Sequence, residues 1–133
     1  MRISLVALGI IALSACSGGE DLASADKAVD RFHEQLNTGQ YQTIYKQSAP
    51  DMKSANNEQE LVKLLSAIHV KLGQYKSGTR NSWRVNYGTS ANTVILFDSI
   101  YEKGKAQETF TFFNGADSPL IGYNINSPTL ITG

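Results

Sequence analysis

The chain has 133 residues, which is enough for one small domain with its own core and too few for two. Its composition, 41% hydrophobic and 18% charged, is ordinary for a globular domain. Lysine and arginine together number 12, and aspartate and glutamate also number 12, so the chain lacks the basic excess of a nucleic-acid-binding protein. We therefore expect no nucleic-acid partner.

The first 15 residues have the layout of a secretory signal peptide. Arg2 follows the initiator methionine, and the run from Ile3 to Ala15 contains nothing more polar than two serines. A helix that spans a bilayer needs about 20 apolar residues, and this run is shorter. We therefore expect residues 1–15 to be removed and not retained as a membrane span.

Residues 13–16, Leu-Ser-Ala-Cys, resemble a bacterial lipobox, in which a leucine three positions before a cysteine and small residues between them direct lipoprotein processing. The resemblance implies that Cys16, the only cysteine, receives a diacylglyceryl group and becomes the acylated N-terminus. Ser17 follows, and a residue other than aspartate there implies export to the outer membrane, facing the periplasm. Because two or more acyl chains hold a protein stably, the expected partner is the membrane itself, through the lipid on Cys16. A buried free cysteine would not explain the small residues around it.

The segment after the signal is rich in glycine and serine and carries two acids. Residues 16–22 are therefore predicted to be a flexible, lipidated leader that keeps the domain close to the membrane. Residues 23–133 are predicted to form a single folded domain.

Two helices are predicted first in this domain. Ser24 is the predicted N-cap of a helix over residues 24–37, and Gly39 provides a stop signal after it. A short helix over residues 41–48 is predicted to end before Pro50.

The third helix has the clearest pattern. Asn57 is a predicted N-cap, Glu60 is placed to reach back to it, and Gly73 ends the helix. The apolar side chains of this helix form one continuous stripe at helical spacing, composed of Leu61, Leu64, Leu65, Ile68 and Leu72.

Beyond Gly73 the apolar period changes from that of a helix to that of a strand. Four strands joined by short glycine-containing turns are predicted, over residues 79–87, 93–101, 106–113 and 120–126. Strict alternation in the first strand predicts one face made of Thr79, Asn81, Trp83, Val85 and Tyr87.

Helices followed by an antiparallel meander predict an α+β fold in which the helices cover one face of the sheet. The segments 38–50, 71–77 and 121–128 make the chain resemble the nuclear-transport-factor-2-like (NTF2-like) superfamily, in particular small bacterial lipoproteins of unknown function with that cone-shaped fold. A cystatin-like arrangement, with one long helix on the same kind of sheet, is the alternative.

Two carboxylates are candidates for chemistry. Asp98 lies in the most apolar strand, but we expect it to point outward, opposite Ser82 and close enough to Arg84 for a cross-strand ion pair. Glu108 shares a face with Phe110, but it lies towards the hairpin end, where we expect its carboxylate to reach water.

His33 and His69 each lie beside the apolar stripe of a helix and not in it, which favours solvated or half-buried structural histidines. No spacing of histidine, cysteine and acid predicts a metal site, and neither nucleophile nor phosphate-binding motifs occur. We therefore predict no metal, no cofactor and no catalytic residue.

Aromatic residues are concentrated on the predicted sheet and its covering helices. They could line a cavity for a small apolar ligand, but packing in the core is the favoured interpretation. The sequence therefore predicts a lipid-anchored envelope protein that binds a protein partner or a small ligand without catalysis. An NTF2-like enzyme acting on an apolar ligand and a purely structural envelope component are the alternatives.

Overall fold

The computed structural model describes residues 17–132, so Cys16 and the predicted signal peptide lie outside the described residues. In chain order the described elements are α1 (Ser17–Asn37), α2 (Tyr41–Gln47), α3 (Pro50–Ala55), α4 (Glu58–Leu72), β1 (Tyr75–Asn86), β2 (Asn92–Tyr101), β3 (Gly104–Phe113), β4 (Leu120–Asn126) and α5 (Pro128–Thr132).

The four strands form one antiparallel sheet in the order β1-β2-β3-β4, and α1 to α4 pack on one face of it. We call this helix-covered side the inner face and the opposite side the outer face. The predicted α+β class is confirmed, and the arrangement agrees with an NTF2-like cone. Two long helices, α1 and α4, contribute apolar side chains to the core, whereas the cystatin-like alternative has one.

Three helix boundaries differ from the prediction. α1 begins at Ser17, so Ser24 lies inside this helix and part of the predicted flexible leader is helical. Pro50 was expected only to end a helix, but it also begins α3, because proline fits the first helical turn, where no backbone donor is needed. The short C-terminal helix α5 was not predicted.

The predicted cap of α4 is confirmed. The Asn57 Oδ1 atom accepts a hydrogen bond from the Glu60 backbone N–H at 2.8 Å, and Gly73 ends the helix with a positive φ of 74°. The predicted apolar stripe is buried except at Leu64, which is 40% exposed. The apolar stripe of α4 is therefore wider than the part of this helix that faces the core.

A bulge in β1 changes which side chains share a face. The register moves between Arg80 and Ser82, so Asn81 is the extra residue and alternation restarts after it. Arg80 and Trp83 consequently lie opposite Phe97 and Ile95, whose side chains are buried on the inner face. The predicted common face of Thr79 and Trp83 is therefore wrong, because strict alternation assumes an unbroken ladder.

A similar shift occurs where β3 meets β4. Phe112 pairs with Leu120, whereas Thr111 pairs with Gly122, so Ile121 is the extra residue. Tyr123 still lies opposite Phe110, and its ring contributes to the inner face.

Tyr75, at the start of β1, lies opposite Tyr101 of β2, and its backbone groups also hydrogen-bond a side chain of α1. The Asn37 Nδ2 atom donates to the Tyr75 carbonyl at 3.0 Å, and the Asn37 Oδ1 atom accepts from the Tyr75 N–H at 2.8 Å. The end of α1 is thereby fixed to the edge of the sheet.

Between residues 17 and 132, no helix is long and apolar enough to cross a bilayer.

Candidate functional site

One carboxylate is completely buried between the sheet and α1. The Glu108 side chain on β3 is 0% exposed, and the whole of its carboxylate is hydrogen-bonded within the protein. A buried charge needs such partners, because burial without them would cost several kcal/mol. The site is therefore defined by the groups that reach this carboxylate.

Four side chains donate to Glu108. His33 Nε2 lies 2.8 Å from Oε1, and the Ser99 hydroxyl donates to the same oxygen. The Tyr101 hydroxyl donates to Oε2 at 3.0 Å, and the Tyr123 hydroxyl donates to that oxygen as well. We call these five residues the Glu108 cluster.

The sheet and α1 bring the cluster together. Glu108 on β3 lies opposite Phe97 of β2, and Ser99 and Tyr101 follow Phe97 by two and four residues on the same inner face of β2. Tyr123 is on β4, the other neighbour of β3. His33 enters from α1, 75 positions away in the chain, and completes the cluster from above the sheet.

The His33 ring is held by aromatic contacts as well as by Glu108. It stacks parallel on Tyr75, with 3.7 Å between ring centroids and 1° between planes. Phe32 and Phe110 contact it edge-on. The buried Nδ1 atom of His33 has no hydrogen-bond partner. Because a carboxylate has no hydrogen, the Nε2 atom is the donor, and a neutral ring leaves Nδ1 as an unpaired acceptor.

Glu108 remains ionised. Burial raises its pKa, but the hydrogen bonds from His33, Ser99 and Tyr123, together with the positive charge that His33 carries when protonated, lower the pKa more strongly. The net result is a pKa below the ordinary value of 4.5.

Burial and the negative charge of Glu108 raise the pKa of the two tyrosines of the cluster and that of the neighbouring Tyr75. Burial and the charge of Glu108 raise the pKa of Tyr75 to about 12 and place those of Tyr101 and Tyr123 well above their ordinary value. All three phenols therefore stay protonated, and Tyr101 and Tyr123 act as donors to the carboxylate.

Two sequence predictions about this cluster were wrong. Glu108 was expected to reach water, and His33 was expected to be solvated or half-buried, yet His33 is 2% exposed. The signals were present in the sequence. Glu108 lies two residues before Phe110 and therefore on the same inward-facing side of the strand. His33 follows Val29 by four residues and precedes Leu36 by three, so it lies within a wide apolar stripe of the helix. His69, by contrast, is half-buried as predicted.

Asp98 points outward from β2, as predicted, and lies outside the cluster. It pairs with Thr79 and not with Ser82, because the bulge in β1 shifts the register. Its Oδ2 atom accepts a hydrogen bond from the Asn81 side chain at 2.8 Å. Arg84 lies opposite Val94, so the predicted ion pair with Asp98 is wrong.

Most of the aromatic side chains pack in the core, as favoured from the sequence. The buried ones are Phe32, Phe97, Tyr101, Phe110 and Phe112. Phe110 contacts Phe32 and Tyr123 at centroid distances of 5.1 and 5.2 Å, so these rings pack directly against one another on the inner face. Two aromatic side chains, Trp83 and Tyr87, are instead 53% and 61% exposed.

A groove of about 870 Å³ lies on the outer face, between the sheet and α5. Side chains from all four strands and from α5 line it. They include the apolar Ile100 and Ile131, the charged Asp98 and Lys105, and the amides of Gln107 and Asn126. Ile100 and Ile131 are 47% and 80% exposed. We call this feature the α5 groove.

The position of α5 depends on close contacts at the β2–β3 turn. A Cβ atom at Gly104 would overlap the Thr129 side chain, so only glycine lets α5 approach this turn so closely. The Ser127 hydroxyl donates to the Lys105 carbonyl at 2.6 Å, and the Lys71 ammonium donates to the Leu130 carbonyl at 3.2 Å. The wall of the α5 groove is thus fixed at several points.

No protein-family model matches the chain, and no curated protein matches it significantly in sequence. Within residues 17–132, no group of three or more histidine, cysteine, aspartate and glutamate side chains is arranged to hold a metal ion. Lipidation of Cys16 stays a prediction, because this residue lies outside the described part of the chain.

Proposed function

We propose that the chain is a lipid-anchored, periplasm-facing envelope protein that binds a segment of a protein partner in the α5 groove without catalysis. The observation that carries the proposal is the location of the open concavity. It lies on the outer face, whereas the buried carboxylate of Glu108 faces the opposite, helix-covered side.

The chemistry of the α5 groove suits a polypeptide. Gln107 and Asn126 offer amides to the N–H and C=O groups of a bound backbone, and the exposed Ile100 and Ile131 offer apolar contact. The volume is within the range of ligand sites, but small-molecule sites enclose most of their ligand, whereas this groove has exposed rims. These features support a peptide segment over a small enclosed ligand.

The Glu108 cluster supports a structural role for its members. A general base needs a free lone pair within hydrogen-bond reach of a substrate proton. Both oxygens of Glu108 already accept two hydrogen bonds each from the protein. A substrate would have to displace a donor from a side chain that is 0% exposed.

Site-specific photo-crosslinking in intact cells tests the binding proposal. A photoreactive side chain at Ile100, in the α5 groove, is expected to give a protein adduct. The same group at Val70 is the matched control, because Val70 is 66% exposed on α4 and outside the groove. A charged Ile100→Lys substitution should abolish the adduct formed from position 131. Equal protein adducts from positions 70 and 100 would contradict the proposal. If the purified protein binds a small molecule and no protein adduct forms, the occupant of the groove is a small ligand and not a peptide.

Fatty-acid labelling tests the anchor separately. Replacing Cys16 with alanine should abolish incorporation of a fatty-acid analogue, because only a thiol can form the thioether. A matched Ser17→Ala variant should still be labelled. Continued labelling of the Cys16→Ala protein would overturn the lipoprotein proposal and leave the binding proposal standing.

A further inference from the structure

We infer that the end of the domain at which α1 begins rests on a phospholipid bilayer, with Trp83 and Tyr87 entering the lipid–water interface. This inference rests on the proposed lipidation of Cys16 and adds a defined contact surface and orientation to it. We call this end of the domain the aromatic end.

Hydrogen bonds bring three segments together at the aromatic end. The Gly115 N–H donates to Asp21 Oδ1 at 3.1 Å, and the Ser24 hydroxyl donates to the Gly115 carbonyl at 3.2 Å, which joins the first turns of α1 to the β3–β4 turn. The Asn114 Nδ2 atom donates to the Asn86 carbonyl at 3.1 Å, which adds the end of β1. Tyr87 directly follows Asn86 and therefore belongs to this end.

Trp83 is held beside α1 and remains exposed. The Arg80 guanidinium lies 4.5 Å from the centre of the Trp83 ring and forms an ion pair with Asp26 of α1. This arrangement fixes the ring by a cation–π contact while 53% of the side chain stays exposed. Large apolar side chains with no cover on a folded domain often mark an interaction surface.

The anchor and the aromatic residues are at the same end. Cys16 immediately precedes Ser17, the first residue of α1. One peptide unit spans about 3.8 Å, so acyl chains on Cys16 would hold the first turn of α1 close to the membrane surface. Tryptophan and tyrosine are the side chains enriched at membrane–water interfaces, because one part of each is apolar and another is polar.

This orientation leaves the α5 groove pointing away from the membrane. The groove lies at the β2–β3 turn, at the opposite end of β2 from the aromatic end. β2 has 10 residues. At about 3.3 Å a residue, the two ends are about 30 Å apart. A partner can therefore reach the groove while the other end contacts lipid.

The contact is hydrophobic and not electrostatic. The aromatic end carries the acids Glu20, Asp21 and Asp117 as well as bases. Two of the bases already have partners, because Arg80 pairs with Asp26 and Arg31 donates to the Asp117 carbonyl, so no cluster of bases alone forms there. Attraction to anionic lipid depends on such a cluster and is screened by salt. We therefore expect contact with zwitterionic lipid that persists when the salt concentration is raised.

Trp83 is the only tryptophan in the chain, so its fluorescence tests the inference directly. The full lipidated protein is reconstituted into phosphatidylcholine vesicles with or without brominated acyl chains. We expect the emission maximum of Trp83 to lie at a shorter wavelength than that of the unfolded protein in detergent-free buffer. We also expect the brominated lipid to quench Trp83 and the bilayer to protect it from aqueous iodide. The matched control is the double variant Trp83→Phe with Ile131→Trp, which places the probe in the α5 groove and should be quenched by iodide and not by brominated lipid.

The outcomes separate the inference from the proposed function. Mass spectrometry of the same sample reports whether Cys16 carries lipid. The absence of lipid overturns the proposed anchor and this inference, and leaves the binding proposal standing. If lipid is present but Trp83 is quenched by iodide and not by brominated lipid, only the bilayer contact is overturned. A Tyr87→Ser variant that keeps its circular dichroism spectrum should show weaker quenching of Trp83 by brominated lipid, and unchanged quenching would remove Tyr87 from the contact surface.

Discussion

Removal of the Glu108 carboxylate tests the role of the buried cluster most directly. In the Glu108→Ala variant, the four donors from His33, Ser99, Tyr101 and Tyr123 lose their acceptor inside the core. A buried donor left unpaired costs about 1 to 3 kcal/mol, so the lower end of that range for four donors is about 4 kcal/mol. Breaking a buried charged pair by removing one partner costs a similar amount, about 3 to 5 kcal/mol.

A loss of this size is a large share of the total stability of a small domain, which is about 5 to 15 kcal/mol. Glu108→Gln should cost less, about 1 to 3 kcal/mol, because the amide keeps the shape and one acceptor oxygen. Its nitrogen is expected to face Tyr101 and Tyr123, because hydroxyl oxygens can accept a hydrogen bond whereas the Nε2–H of His33 cannot.

Chemical denaturation followed by circular dichroism measures these free energies of unfolding. Asp98→Ala is the matched control, since this carboxylate is exposed on the outer face and accepts from the Asn81 side chain. It should change stability by no more than about 0.5 kcal/mol. A Glu108→Ala loss below about 1 kcal/mol, the net value of a single hydrogen bond, would refute the assignment of the cluster as a major stabilising element.

Three further changes have defined outcomes. Because the pKa of Glu108 is lowered in the fold, its contribution to stability is present above about pH 4.5 and is lost as the pH falls through the folded value. Acid titration should therefore bring the unfolding free energies of the wild type and of Glu108→Gln closer together. A constant difference between them would contradict this prediction. Gly78→Ala should lower the melting temperature through a loss of about 1 to 3 kcal/mol, since a Cβ there would overlap Phe97, whereas Gly122→Ala, with nothing closer than 3.8 Å, should not. Asn37→Ala removes both hydrogen bonds to the first residue of β1 and should speed amide hydrogen exchange there, and unchanged exchange would show that these bonds add no protection.

The class of the fold could be predicted from the sequence because periodicity reports which elements form. The α4 pattern, with Asn57 as cap and Gly73 as stop, depends on interactions within a few residues, and both were confirmed. The bulge at Asn81 could not be predicted in the same way. It depends on the pairing of β1 with β2, so no local signal fixed the faces of Arg80 and Trp83.

The Glu108 cluster was missed for a related reason. Each member has an ordinary local setting, and the cluster exists only because β2, β3, β4 and α1 converge. Polar residues at inward-facing positions were predicted to be exposed to solvent, because charged side chains are mostly exposed. Tyr101 and Tyr123 are inward-facing donors on the strands beside Glu108, and their presence is the signal that its carboxylate lies in the core. The α5 groove depends in turn on a helix that the sequence pattern did not predict.

The free edge of β1 has a consequence for self-association. A long flat edge strand is a template on which a second copy can add its own strand, and chains concentrated on one surface meet often. Here the Asn37 side chain already occupies the backbone groups of Tyr75, and the bulge at Asn81 interrupts the regular spacing of the remaining donors and acceptors. Arg80 faces the helices, so a shift in the pairing register of β1 would separate its guanidinium from Asp26. The same irregularities that the sequence pattern did not predict therefore disfavour the addition of a second strand at this edge of the sheet.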